Sequence, residues 1–215
     1  MTDLALYFID IILHLDDHLA EWVTLYGPWI YAILFAIVFC ETGLIVTPFL
    51  PGDSLLFVAG TLAAVGGMDI TYLSLTLFSA AVLGDSLNYF IGRKVGPQVF
   101  KWENTRWFNK AAFERANAFF EQHGALAIIL ARFMPLVRTF MPFCAGVSAM
   151  SHGKFLTANI SGAFIWVVSL TQAGYWFGNI PLIKDNLSAV ILLIIILSLM
   201  PVVIAYWRSR GKTAV

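Results

Sequence analysis

Two carboxylates and two guanidinium groups carry the chemistry this chain can do. Glu41 and Asp53 lie in apolar surroundings in the first half of the sequence, and Arg132 and Arg138 lie in apolar surroundings in the second. A guanidinium is planar, keeps its proton in a dry site and grips phosphate bidentately, so Arg132 and Arg138 are candidates for binding a phosphate-bearing substrate. A buried carboxyl feels two opposed influences: loss of water favours its neutral form, and a neighbouring guanidinium favours its charged form. Glu41 and Asp53 are therefore candidates for proton coupling. Ionised, they neutralise the arginines; an arriving phosphate must displace them, and proton uptake by a carboxyl makes that exchange favourable. The plain alternative is that the four charges staple the fold together. Charges at bilayer depth cost about 2.5–3.5 kcal/mol each on insertion scales and usually mark a pathway, and two pairs exceed what a staple needs.

The elements that position these groups must sit in lipid. With 215 residues, 60% of them hydrophobic and 12% charged, the chain carries more apolar surface than one small soluble core can hide. Net charge is zero and the basic residues are clustered rather than spread over a face, which excludes a nucleic-acid partner. A hydrocarbon core of about 30 Å takes ~20 helical residues, which the apolar runs 70–92, 155–178 and 187–207 supply. The run 54–67 is too short to span, and the run before it is interrupted at Pro48, Pro51 and Gly52; Pro135 and Pro142 interrupt 125–150. Both regions read as re-entrant hairpins, with breaks at Gly52-Asp53 and Arg138-Thr139. Broken backbone at membrane depth must face protein or a water-filled cavity. Residues 4–24 form an amphipathic stripe expected at the interface or across the membrane, and Phe108, Phe113, Phe119 and Phe120 among charges suggest a second amphipathic helix on the membrane surface. Basic residues from Arg93 to Arg115 and from Arg208 to Lys212 place the middle loop and the C-terminus in the cytoplasm.

Sliding the sequence by 86 positions aligns Phe57, Ala59, Gly60, Ala63, Gly67, Thr71, Phe78, Val82, Tyr89 and Gly92 with identical residues. Roughly three identities are expected from so apolar a composition, so an internal repeat follows. The expected fold is an all-α integral membrane protein of two inverted repeats, each a re-entrant helical hairpin plus a transmembrane helix, with a further C-terminal transmembrane helix and amphipathic interfacial helices. As one membrane domain it divides into an N-terminal amphipathic helix (1–27), repeat 1 (28–95), a cytoplasmic amphipathic segment (96–124), repeat 2 (125–180) and the C-terminal helix (186–207). Inverted repeats place transporter sites at the midplane between discontinuous segments.

The motifs Glu41 with Pro48-x-x-Pro51-Gly52-Asp53 and Ala59-Gly60, Gly84-Asp85 with Tyr89-x-x-Gly92-Arg93, and Arg132-Phe133-x-Pro135-x-x-Arg138-Thr139-x-x-Pro142-x-x-Ala145-Gly146 resemble those of the DedA family of bacterial membrane proteins, related to the VTT or SNARE-associated domain. The resemblance covers nearly the whole chain. It implies a bacterial inner-membrane, multi-pass protein that translocates lipids with the membrane potential or protons, undecaprenyl phosphate being the proposed substrate of bacterial members, in support of envelope integrity and cell division. It also implies that Glu41, Asp53, Arg132 and Arg138 are the functional residues; Asp53 stands where other members carry Glu. Expected partners are a lipid-linked phosphate, protons and membrane lipids, with a homo-oligomer left open. No catalytic residue, metal or cofactor is expected.

Other classes fit less well. A lipid phosphatase needs a nucleophile with a positioned base, and His123 and His152 lack that setting. A proton-coupled exporter of small cations or drugs would use Glu41 and Asp53, but two buried arginines repel such cargo, and a non-transporting assembly factor would tolerate loss of the charges. Asp85, inside the first spanning helix, reads equally as a helix-packing hydrogen bond or partner to an arginine, or as a proton relay, and stays outside the core set.

Overall fold

The computed structural model describes residues 15–44, 52–95 and 110–178, together with 98, 180 and 193. Pro48, Pro51, most of the N-terminal stripe before residue 15 and the expected helix over 187–207, residue 193 apart, lie outside the described residues. The described chain is helical: α1 (Leu15–Tyr26), a 3-10 turn (Gly27–Trp29), α2 (Ile30–Gly43), α3 (Gly52–Ala64), α4 (Ile70–Val95), α5 (Lys110–His123), α6 (Ala125–Ala131), α7 (Pro135–Val147) and α8 (His152–Phe177). Two of the three expected spans are thus present as α4 and α8, each 26 residues long and apolar enough to cross a bilayer. The run His18–Gly43 meets the same criteria of length and composition, a span the sequence reading did not count. Its helix is interrupted where the boundary at 27/28 was placed, because Gly27 turns at φ +51°, a conformation open to a residue without Cβ.

The described residues pack as two compact units that interleave along the sequence: those within Met1–Phe35, Pro51–Leu77 and Val167–Met200 form the first, and those within Ala36–Leu50, Phe78–Trp166 and Pro201–Val215 the second. In the first, Asp69 caps α4, its Oδ1 accepting the backbone N–H groups of Thr71 and Tyr72 at 2.8 and 3.0 Å. There α3 lies directly on the second half of α8. A Cβ at Gly60 would overlap the Thr171 carbonyl, one at Gly174 would overlap the Phe57 carbonyl, and Thr61 Oγ1 donates to the Gly174 carbonyl at 3.2 Å. In the second unit α7 lies in the same intimate way on the second half of α4: a Cβ at Gly92 would overlap the Phe143 carbonyl and one at Gly146 the Tyr89 carbonyl. In both cases a short helix is seated on a long one by small residues that let backbones touch.

Two expectations about breaks are corrected. The interruption in the second hairpin runs through Arg132, Phe133 and Met134, between α6 and α7, so Arg138-Thr139 lies inside α7 and not at the break. Met134 takes extended backbone (φ −121°, ψ 98°) because it precedes Pro135, which occupies the first turn of α7, where a missing N–H costs nothing. Pro142 does not break the helix either. Every residue from 139 to 147 is buried, and packing on that scale outweighs the one backbone bond a proline removes. The apolar face of α5 likewise meets protein: Phe113 and Phe120 are buried with α7 residues, Phe113 edge-on to Phe143 at 5.9 Å, where a lipid-facing stripe was expected.

The two short helices end alike. Gly67 N–H donates to the Leu62 carbonyl after α3, and Met150 N–H donates to the Ala145 carbonyl after α7, through a left-handed residue in each case: Gly66 at φ +86° and Ala149 at φ +52°. A Cβ in that conformation costs about 1–2 kcal/mol. Ala149→Gly should therefore raise the unfolding temperature of the detergent-purified protein, by an amount corresponding to about 1 kcal/mol; an unchanged or lower midpoint would count against this account of the α7 terminus.

Candidate functional site

The second unit gathers its buried charges around one aromatic ring. α2 and α4 cross closely, since a Cβ at Gly43 would come within 3.3 Å of the Gly84 backbone and one at Gly84 would meet Thr42. That crossing puts Glu41 and Asp85, each neighbouring the contact in sequence, on the same side as the second hairpin. Arg138, from the first turn of α7, donates to Glu41 Oε1 in an ion pair whose two side chains are 12% and 2% exposed. Arg132, at the end of α6, donates through Nη2 to Asp85 Oδ2 at 2.5 Å and to Asn159 Oδ1 at 2.5 Å. Both guanidinium carbons stand over the buried ring of Trp166, at 4.9 Å for Arg138 and 5.9 Å for Arg132. Cation–π attraction of this kind is worth about 0.5–2 kcal/mol and keeps the guanidinium planes in place without removing their donors.

Amides fix the scaffold. Asn159 of α8 donates through Nδ2 to the Val82 carbonyl at 3.0 Å, which turns its oxygen toward Arg132. Asn88 of α4 donates to the Thr42 carbonyl at 3.2 Å and the Thr139 carbonyl at 2.8 Å, tying the ends of α2 and α7 to one side chain. Within this group, Glu41 Oε2, Asn88 Oδ1 and Arg132 Nε are buried without a hydrogen-bond partner among the described residues. The cavity enclosed by Thr42, Asp85, Arg132, Arg138, Thr139 and Trp166 is about 10 Å³. That is room for about one water, far too little for a phosphate.

Three of the four expected residues, Glu41, Arg132 and Arg138, are thus brought together in one site. Asp53 sits half-buried in the first turn of α3, in the first unit, where a carboxylate complements the positive end of a helix. The sequence reading left out Asp85, Asn88, Asn159 and Trp166. Asp85 had a usable signal, an ionisable side chain inside a span. Trp166 had none. The motif Tyr89-x-x-Gly92-Arg93 proves structural: Tyr89 Oη donates to the Met150 carbonyl at 2.5 Å and accepts from Arg93 Nη1 at 2.9 Å, while its ring stacks on Phe155 at 4.3 Å.

The chain, helical throughout its described residues, matches the VTT domain family over residues 50–176. Protein DedA of Escherichia coli K12 is 49% identical over 214 residues, covering 99% of this chain and 98% of that protein. An uncharacterized membrane protein of Mycobacterium leprae is 46% identical over 90% of this chain and 89% of its own length. Inner membrane protein YghB of Escherichia coli K12 is 36% identical over 87% of each. No solved structure matches the chain. The chain belongs to the DedA family of membrane proteins.

The pairing makes a specific energetic demand. Removing one partner of a buried ion pair strands the other and costs about 3–5 kcal/mol, whereas replacing both with apolar groups is close to neutral. Arg132→Leu should lower the thermal midpoint of the purified protein by that equivalent, and Asp85→Leu/Arg132→Leu should recover most of the loss. Additive losses in the double variant would sink the assignment of Asp85 as the partner of Arg132.

Proposed function

We propose that this protein is a membrane transporter of flippase type, moving a lipid phosphate such as undecaprenyl phosphate across the inner membrane in exchange with, or together with, protons or under the membrane potential. The observation that carries the reading is the pair of buried acid–arginine contacts, Glu41 with Arg138 and Asp85 with Arg132, sharing Trp166 in a cavity of water size. Both arginines are paired with internal acids, and the cavity holds no room for substrate, as expected of an occluded resting state. A phosphate that displaces the acids gains two guanidinium forks, and a proton taken up by the released carboxyl removes the cost of leaving it charged in a dry site. Neutralised acids are thus the physical link between proton and phosphate.

The proposed topology is two inverted repeats with re-entrant hairpins, the C-terminus in the cytoplasm. It draws support from the offset of 86 residues and from the exchange of partners between halves: α3 seats on α8, and α7 seats on α4. Each short helix is thereby carried by the long helix of the other half, a framework in which movement of one half alternates access to a central site. Asp53 serves as the second proton-coupling group in this scheme, with Glu41.

The deciding experiment uses proteoliposomes containing a polyprenyl phosphate, with sidedness followed with and without a pH gradient. Wild type should flip the lipid in a gradient-sensitive way, and Asp53→Asn should lose that sensitivity. Glu41→Gln/Arg138→Gln keeps the pair neutral and hydrogen-bonded, so it should remain folded but flip more than tenfold more slowly, the loss expected when a charged phosphate contact is removed. Full flipping by this variant would reduce the pair to a staple, and no flipping by folded wild type would end the transporter reading.

A further inference from the structure

A groove of about 340 Å³ opens on the second unit between α6 and the first half of α8. Leu126 and Ile129 of α6 form one wall; Lys154, Thr157 and Ser161 of α8 form the other. The three polar residues are spaced i, i+3 and i+7, so they follow one face of the helix inward from its first turn. Lys154, at the mouth, is exposed. On the α6 side the groove is bordered by apolar side chains turned outward, Leu126 at 63% and Leu130 at 49% exposure. Thr157 Oγ1 donates to the Gly153 carbonyl at 2.8 Å, and Lys154 is the cation among the described residues that line the groove.

The inner end of this groove abuts the site. Ser161 precedes Gly162, and a Cβ at Gly162 would come within 3.1 Å of Arg132 Cδ and Nε and 3.3 Å of Ile129 Cα. The glycine is what lets Arg132 reach this edge of α8. Arg132 Nε, buried and without a partner among the described residues, thus lies against the residue that follows Ser161, the innermost of the three polar groove residues.

We propose that the groove is the lateral access path of an anionic lipid. Its phosphate headgroup is captured by Lys154 at the mouth and passed beside Ser161 to the Nε–H of Arg132, while its hydrocarbon chain stays outside along Leu126 and Leu130. The occupant is a lipid phosphate and not a free ion because one wall is apolar and continues into exposed leucines that a soluble ion has no use for. Among the described residues, no acidic side chain lines the groove, which suits an anion. This inference rests on the transporter reading and adds to it a place and a direction of loading.

The test is binding, read on the detergent-purified full chain with farnesyl phosphate as probe and with farnesol and inorganic phosphate as competitors. Saturable farnesyl phosphate binding should weaken about tenfold in Lys154→Glu, which reverses one charge near the headgroup, and comparably in Ser161→Trp, which fills the groove. Neither competitor should displace the probe at equal concentration. Thermal midpoints near that of wild type establish that both variants are folded; Lys154→Gln, a milder change at an exposed position, gives an intermediate loss. Unchanged affinity in Lys154→Glu and Lys154→Gln, displacement by inorganic phosphate, or no saturable binding to wild type overturns the groove. Lipid flipping by a wild type whose Lys154 variants bind unaltered would discard the groove and keep the transporter, whereas groove binding without flipping would do the reverse.

Discussion

Two guanidinium groups held in a dry interior are the constraint around which the second unit is arranged. An unpaired charge there costs several kcal/mol, so each arginine must find an acid before the helices can close on it. Glu41 and Asp85 meet that need from two helices, α2 and α4, while the arginines come from α6 and α7 on either side of a break. Four helices are thereby committed to one arrangement by two ion pairs, and Trp166 supplies from α8 the apolar surface over which both cations lie. The proposed transport uses the same constraint: the stability of the pairs comes from mutual neutralisation, which in that scheme a phosphate and a proton together replace.

Close backbone approach is what makes the pairs geometrically attainable. Gly43 and Gly84 let α2 and α4 cross at contact distance, and Gly92 and Gly146 let α7 press onto α4. Asn88 then fastens the Thr42 and Thr139 carbonyls. In lipid there is no hydrophobic force between helices to do this, so small residues and buried amides carry the association. At the turn from Arg132 to Met134, the Arg132 side chain is likewise buried against protein.

Much of the architecture was legible in the residues because its causes are local. Runs of apolar residues give α4 and α8, and Pro135 marks the start of α7. Pro142 misled, since a proline's local penalty is small beside the burial of every residue from 139 to 147. The face of α5 misled in another way. An amphipathic stripe states only that one side is apolar, and Phe113 and Phe120 satisfy it against α7 as well as lipid would.

The sequence by itself determined which charged residues lie in apolar runs, that α4 and α8 are long enough to span and that the run 125–150 is interrupted at Pro135. Only the tertiary structure decided the partners. Glu41 meets Arg138 across 97 positions and Asp85 meets Arg132 across 47, with Asn159 and Trp166 completing the shell from a third helix. Pairing of this kind depends on the crossing of helices and on the rotation of each about its axis, which are set by packing summed over the whole unit. No single stretch of sequence encodes that sum, so an arginine partner for Asp85 could be expected from the residues, but only the fold chose Arg132.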